Sequence, residues 1–231
     1  MKCKLLLLVI MLTAFIKVEG QDTLQHENLK SVVTLSLLSP TITYAPRYNA
    51  GYMYRFANRW WAGIEAGYGN DATAINMTQG ADNEFFFDRY KLFEIRPEIF
   101  YSLRNNPKIK HLVSAEYFYI RHTDTQIKNI YNTGGPFEYR FESADYKRIK
   151  TGININYTLL FYFTEKFGLL TKTGFGIKRR DVSYTNVKNP VYIDTSGNDD
   201  EDWFGIYNYL EDAGTKTNAN FNFDLKLFYR F

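Results

Sequence analysis

Phe221-Asn222-Phe223-Asp224-Leu225-Lys226-Leu227-Phe228-Tyr229-Arg230-Phe231 changes character at almost every step. Its odd positions are all apolar or aromatic, while its even positions hold Asn222, Asp224, Lys226 and Arg230, with Phe228 the exception. A period of two predicts a β-strand with one apolar and one polar face, because successive side chains of a strand point to opposite sides. The apolar face belongs either to the core of a soluble protein or against lipid, where the polar face would line a lumen.

The same pattern recurs upstream, with charges on the polar side. In 93–103, Phe93, Ile95, Pro97, Ile99, Tyr101 and Leu103 oppose Glu94, Arg96 and Glu98. In 149–163 the apolar row from Ile149 to Phe163 opposes Lys150, Gly152, Asn154, Asn156 and Thr158. Phe167, Leu169, Phe175 and Ile177 oppose Lys172, Gly174 and Gly176, and Trp60, Ala62, Ile64 and Tyr68 oppose Gly63, Glu65, Gly67 and Gly69. Val113, Ala115, Tyr117 and Tyr119 carry Glu116 on the reverse. The polar faces together hold Glu65, Glu94, Arg96, Glu98, Glu116, Lys150, Lys172, Asp224 and Lys226, acids and bases in a mutually neutralising set. A barrel lumen suits that inventory better than the solvated face of a sandwich.

The pattern divides into strands at 31–38, 41–56, 59–69, 89–104, 110–124, 138–163, 167–184 and 217–231. Residues 57–58, 105–109 and 164–166 read as tight turns, whereas 70–88, 125–137 and 185–216 are long connections. Short turns at one end and long loops at the other are the expected asymmetry of a membrane barrel. The expectation is therefore an all-β, antiparallel, up-and-down transmembrane β-barrel of eight strands over residues 21–231. Beyond Ile16 no segment is apolar and long enough for a spanning helix, and a closed barrel is the other structure whose backbone is satisfied in lipid.

Residues 1–20 read as a secretory signal peptide: Lys2 and Lys4, an apolar run from Leu5 to Ile16, then a polar stretch ending in Gly20. Cys3, the single cysteine, would leave with it, so no disulfide or thiol site is expected. Loss of Lys2, Lys4, Lys17 and Glu19 lowers the formal charge from +3 to +1, which gives no basis for nucleic-acid binding. The 19 Tyr and 19 Phe instead suit interfacial aromatic girdles.

With its terminal Tyr229-Arg230-Phe231 and the glycine-rich strand Trp61-Ala62-Gly63-Ile64-Glu65-Ala66-Gly67-Tyr68-Gly69, the chain resembles the small OmpA/OmpX-type outer-membrane barrels, and an uncharacterised family of similar barrels from Gram-negative bacteria. The resemblance implies an outer-membrane location in contact with lipid. It also implies assembly by the barrel-assembly machinery through Phe223, Leu225, Leu227, Tyr229 and Phe231. It implies no single activity, since such barrels include anchors, adhesins, pores and lipid enzymes.

Candidate chemistry is sparse. His26, His111 and His122 are the only histidines, and His122-Thr123-Asp124 lies at the height where a lipid-modifying enzyme would work, with Ser143 or Ser183 as possible nucleophiles. No spacing fixes a base beside a nucleophile, so no catalytic residue and no cofactor are expected. The acidic loop 185–216 offers Asp194, Asp199, Asp200 and Asp202 as a weak calcium set, against a plainly solvated loop, and Trp203, Phe204, Tyr207 and Tyr209 as loop binding candidates. A lumen of eight strands is just filled by side chains, so ion pairs across it are expected to plug rather than conduct. The expectation is a non-enzymatic barrel displaying loops for envelope integrity, adhesion or ligand contact. An enzyme centred on His122 and a narrow channel or transporter are the alternatives.

Overall fold

The computed structural model describes residues 30–41, 45–73, 89–105, 108–132, 137–194 and 212–231; the expected signal peptide lies outside them. The strands are β1 Ser31–Ser36, β2 Tyr48–Arg55, β3 Trp60–Asn70, β4 Lys91–Asn105, β5 Ile109–Asn132, β6 Phe137–Tyr162, β7 Phe167–Lys188, β8 Val191–Asp194 and β9 Gly214–Arg230. All pairings are antiparallel. Each strand from β1 to β6 pairs with the next, β7 pairs with β9, and β9 closes on β1. The short β8 stands outside this ring, on the far end of β6. The chain is thus an all-β, antiparallel up-and-down barrel with eight strands in its wall.

One row of paired residues can be followed around the wall through Leu227, Leu35, Ala50, Ala66, Ile95, Tyr119, Thr151, Arg179 and Thr217. It leaves β9 at Leu227 and re-enters it at Thr217, a stagger of ten residues. Closure with such a stagger inclines the strands by roughly 40° to the barrel axis.

Alternation then sorts the side chains. Outward positions include Ile64, Tyr68, Phe93, Ile99, Ile153, Ile155, Phe175, Ile177, Phe221 and Phe223, all exposed. From Trp60, Leu103, Phe167 and Phe231 at one end to Tyr68, Phe93, Tyr119 and Ile177 at the other, no outward position among the described residues is Asp, Glu, Lys or Arg. The band is about ten residues along an inclined strand, or roughly 25 Å, the height of the apolar band of a membrane barrel. Aromatic residues mark both margins: Tyr54, Trp60, Phe163, Tyr229 and Phe231 below, and Tyr48, Tyr68, Phe93 and Phe221 above.

The interior is layered. Nearest the short turns, Val32, Met53, Trp61, Phe100, Leu112, Leu160, Leu170 and Phe228 form one buried apolar cluster, and each comes from a different strand of the ring. They make a complete septum. Above it lies the charged layer, then a second apolar cluster of Ala45, Tyr90, Leu92, Phe118 and Ile120.

Several stretches differ from the sequence expectation, and 185–216, expected as a loop, holds the end of β7, all of β8 and the start of β9. β2 begins at Tyr48 rather than 41, because Pro46 has no N–H for the ladder and residues 39–41 turn, with Arg47 N–H bonded to Ser39 O. The stretch 125–137, expected as a loop, is mostly strand: β5 and β6 stay paired up to Asn132 and Glu138, well past the apolar band. β7 and β8 join them, so a β-ribbon stands on the wall at the end opposite the short turns.

Candidate functional site

The inward residues of the barrel's middle form one connected polar network. Glu94 accepts from both Arg47 and Arg96, and Arg96 reaches Glu116 at 2.8 Å. Lys172 then joins Glu116, at 2.5 Å, to Glu98, at 3.0 Å. Asn49 donates to Glu65 (3.0 Å) and Glu94 (3.3 Å), linking this chain to Lys226, which pairs with Glu65 and lies 3.3 Å from Asp224. Ser36 closes that end on Asp224 at 2.7 Å.

Of the charges expected in the lumen, Glu65, Glu94, Arg96, Glu98, Glu116, Lys172, Asp224 and Lys226 are thus brought together. Lys150 is placed apart from that chain of ion pairs, over the Phe118 ring at 5.5 Å. Arg47 and Asn49 were not legible as members, because they lie just before and just inside the start of β2, which the prolines obscure.

Amides complete the layer. Asn222 donates to Asn156 (2.9 Å) and Asn220 to Asn154 (2.8 Å), and these in turn donate to Glu98 (2.9 Å) and Glu116 (2.8 Å). The bridges pass from β9 to β6 across the intervening β7, at Gly174 and Gly176. A Cβ at Gly174 would overlap the Asn156 amide oxygen and lie 2.8 Å from that of Asn222. Gly174→Val is therefore expected to lose ~1–3 kcal/mol by overpacking, read as a lower urea midpoint of the refolded barrel.

Between septum and charged layer a cavity of about 20 Å³, measured as space open to the centre of a water molecule, is lined by Thr34, Glu65, Glu98, Thr158, Lys172 and Lys226 among others. The Thr158 hydroxyl is buried without a hydrogen-bond partner among the described residues. The space suits about one water, which needs a polar site of that size.

His122 lies above the apolar band, facing inward and buried. Its Nε2 is 3.4 Å from Asp124 Oδ2, and its ring stands edge-on to Tyr90 (4.9 Å) and Tyr146 (5.1 Å). Burial, with the Arg148 charge added, holds its pKa well below the usual histidine range. The imidazole is neutral at pH 7, so its contact with Asp124 is a long hydrogen bond and not an ion pair. Ser183 pairs with exposed Lys147, and Ser143 pairs with exposed Ile127, on the opposite face from His122. Neither candidate nucleophile is brought to the imidazole.

From Tyr146 the aromatic contacts continue outward along the ribbon through Tyr184 (5.4 Å), Tyr131 (5.0 Å) and Tyr139 (5.4 Å).

No family model and no curated protein matches the chain. Among solved structures it is similar to the outer membrane protease OmpT from Escherichia coli, at 10% identity over 88% of this chain and 93% of that one, with a TM-score of 0.34.

The C-terminal residues Phe223, Leu225, Leu227 and Tyr229 sit on the outward face of β9, with Phe231 just beyond its end, and Phe223, Tyr229 and Phe231 are exposed. Trp203, Phe204, Tyr207, Tyr209, Asp199, Asp200 and Asp202 lie outside the described residues, and Asp194 is described only as the last residue of β8.

Proposed function

We propose that this chain is a non-enzymatic integral barrel of the outer membrane of a Gram-negative bacterium, holding a β-ribbon and loops beyond the membrane for envelope integrity, adhesion or ligand contact. The inside-out distribution of side chains carries this reading: an uncharged apolar band faces out and a charged network faces in. A soluble barrel would bury its apolar face, because exposed apolar patches of this extent mark a membrane or partner surface. The outward row on β9 supports recognition by the barrel-assembly machinery.

The reading is tested by heating the detergent-extracted protein. A folded barrel is expected to fractionate with outer membranes and to migrate differently on a gel before and after boiling. A water-soluble protein without a heat shift would exclude the membrane reading. Shortening the ribbon by removing residues 128–141 should then abolish the biological effect and leave the heat shift intact.

The contact of His122 with Asp124 favours a second reading, a lipid-modifying enzyme. His122→Ala should leave membrane lipids unchanged if the barrel is non-enzymatic; accumulation of an unprocessed lipid would transfer the assignment to the enzyme. The septum argues against a channel, and planar-bilayer recordings are expected to show no steady conductance.

A further inference from the structure

The outward surface changes abruptly at the upper margin of the band. Lys91 on β4, Arg121 on β5, Lys147 on β6 and Arg179 on β7 are exposed and share the outward face with the apolar residues below them. Lys91 and Lys147 both flank Thr123, paired to it from either side. Their backbones are therefore about 10 Å apart, within the joint reach of two lysine side chains. Arg121 is two residues from Thr123 on the same strand. Followed around the staggered wall, Lys91, Arg121 and Arg179 stand at nearly one height, with Lys147 roughly 6 Å above.

None of the four has an ion-pair partner among the described residues. Of the acids on this face, Asp181 pairs with Ile149 and stands within the arc, between the levels of Arg179 and Lys147, while Asp145 lies above it; they accept from uncharged groups, Thr215 at 2.6 Å and Asn186 at 2.7 Å. On the flanking strands β3 and β9 the outward residues at this level are Asn70 and Thr217. The basic arc is thus confined to one side of the barrel. Directly beneath it lie Phe93, Tyr119, Ile149 and Ile177, so a ligand bound here meets cations above and apolar surface below.

We propose that Lys91, Arg121, Lys147 and Arg179 form a binding site for lipids whose headgroups carry phosphomonoesters, seated in the leaflet on the ribbon side. Phosphate oxygens accept from the ammonium and guanidinium groups, and the acyl chains lie on the aromatic and aliphatic surface beneath. A phosphomonoester approaches two negative charges at neutral pH, more than a phosphodiester lipid offers, and it needs several cations close together. This inference rests on the membrane reading above.

The test uses the full chain refolded into phosphatidylcholine vesicles. The vesicles contain, in separate samples, a bis-phosphorylated glycolipid, its dephosphorylated form, or phosphatidylglycerol. Lipid retained after gentle detergent release is counted by native mass spectrometry, and the heat shift is recorded on the same samples. The phosphorylated glycolipid should be retained about tenfold over the other two, and K91Q/R121Q/K147Q/R179Q should lose that preference. The double variant K91Q/K147Q, the milder change, should fall in between. Equal retention by variant and native protein, equal retention of the dephosphorylated lipid, or displacement by inorganic phosphate would overturn the site. A barrel that shows the heat shift but no preference refutes this inference alone. A chain that neither inserts nor shifts refutes the membrane reading as well.

Discussion

Arginine at position 155 should lower the stability of the barrel by ~2–4 kcal/mol in a lipid bilayer, while in water the same change would cost within about 0.5 kcal/mol. Ile155 projects outward near the middle of the apolar band and is 55% exposed. Its neighbours on the adjoining strands are Ala115 and Phe175, both outward as well. A guanidinium there has no acid beside it and no water to reach without thinning the membrane around it. Urea unfolding of Ile155→Arg in vesicles, with Thr185→Arg on the ribbon as control, measures the difference directly. A midpoint unchanged by Ile155→Arg would mean that the exposed face is not in lipid.

The second large effect is expected inside. Lys172 is 4% exposed and sits between the carboxylates of Glu98 and Glu116. Lys172→Met keeps a similar volume but leaves two buried acids facing each other, and breaking a buried pair in this way typically costs ~3–5 kcal/mol. Its outcome is sharpest against the triple variant Lys172→Met, Glu98→Gln, Glu116→Gln. Removing all three charges should recover most of the loss, since a neutral amide layer is already present in Asn154 and Asn156. Should the triple variant remain as unstable as the single one, the ion pairs would be packing elements and not a charge-compensated set. Urea midpoints at neutral pH separate the cases.

The wall of the barrel was legible because its physics is periodic. Where the outward face is apolar and the inward face polar, as from Phe93 to Leu103 and from Ile149 to Phe163, alternation alone assigns both strand and side. The septum was not read, because there the inward residues are apolar too: Leu160 lies between Leu159 and Phe161, and Phe228 between Leu227 and Tyr229. A run that is apolar on both faces loses its period. Phe228, the fault in an otherwise regular strand, was the one visible sign of it. The ribbon escaped for the opposite reason. Residues 125–132 carry polar side chains on both faces, so no contrast marks them as strand, and the strand read at 138–163 lacked its partner over that length.

The candidate sites were partly legible for similar reasons. Charges on regular strands could be assigned to the lumen, but Arg47 and Asn49 depend on a turn shaped by Pro40 and Pro46. The outward cations Lys91, Arg121, Lys147 and Arg179 are separated by up to 88 residues in sequence. They converge only through the stagger of the pairing, which no single strand records.

The ring of Val32, Met53, Trp61, Phe100, Leu112, Leu160, Leu170 and Phe228 has a consequence for exchange. Among the described residues that layer shuts the interior off from the short-turn side, so exchange with the space above it would come from the ribbon side. In a membrane, the hydration and ionic strength felt by Arg47 and Asn49 would follow the compartment beyond the ribbon. Changes of salt or acidity on the short-turn side would reach them only by crossing the bilayer some other way.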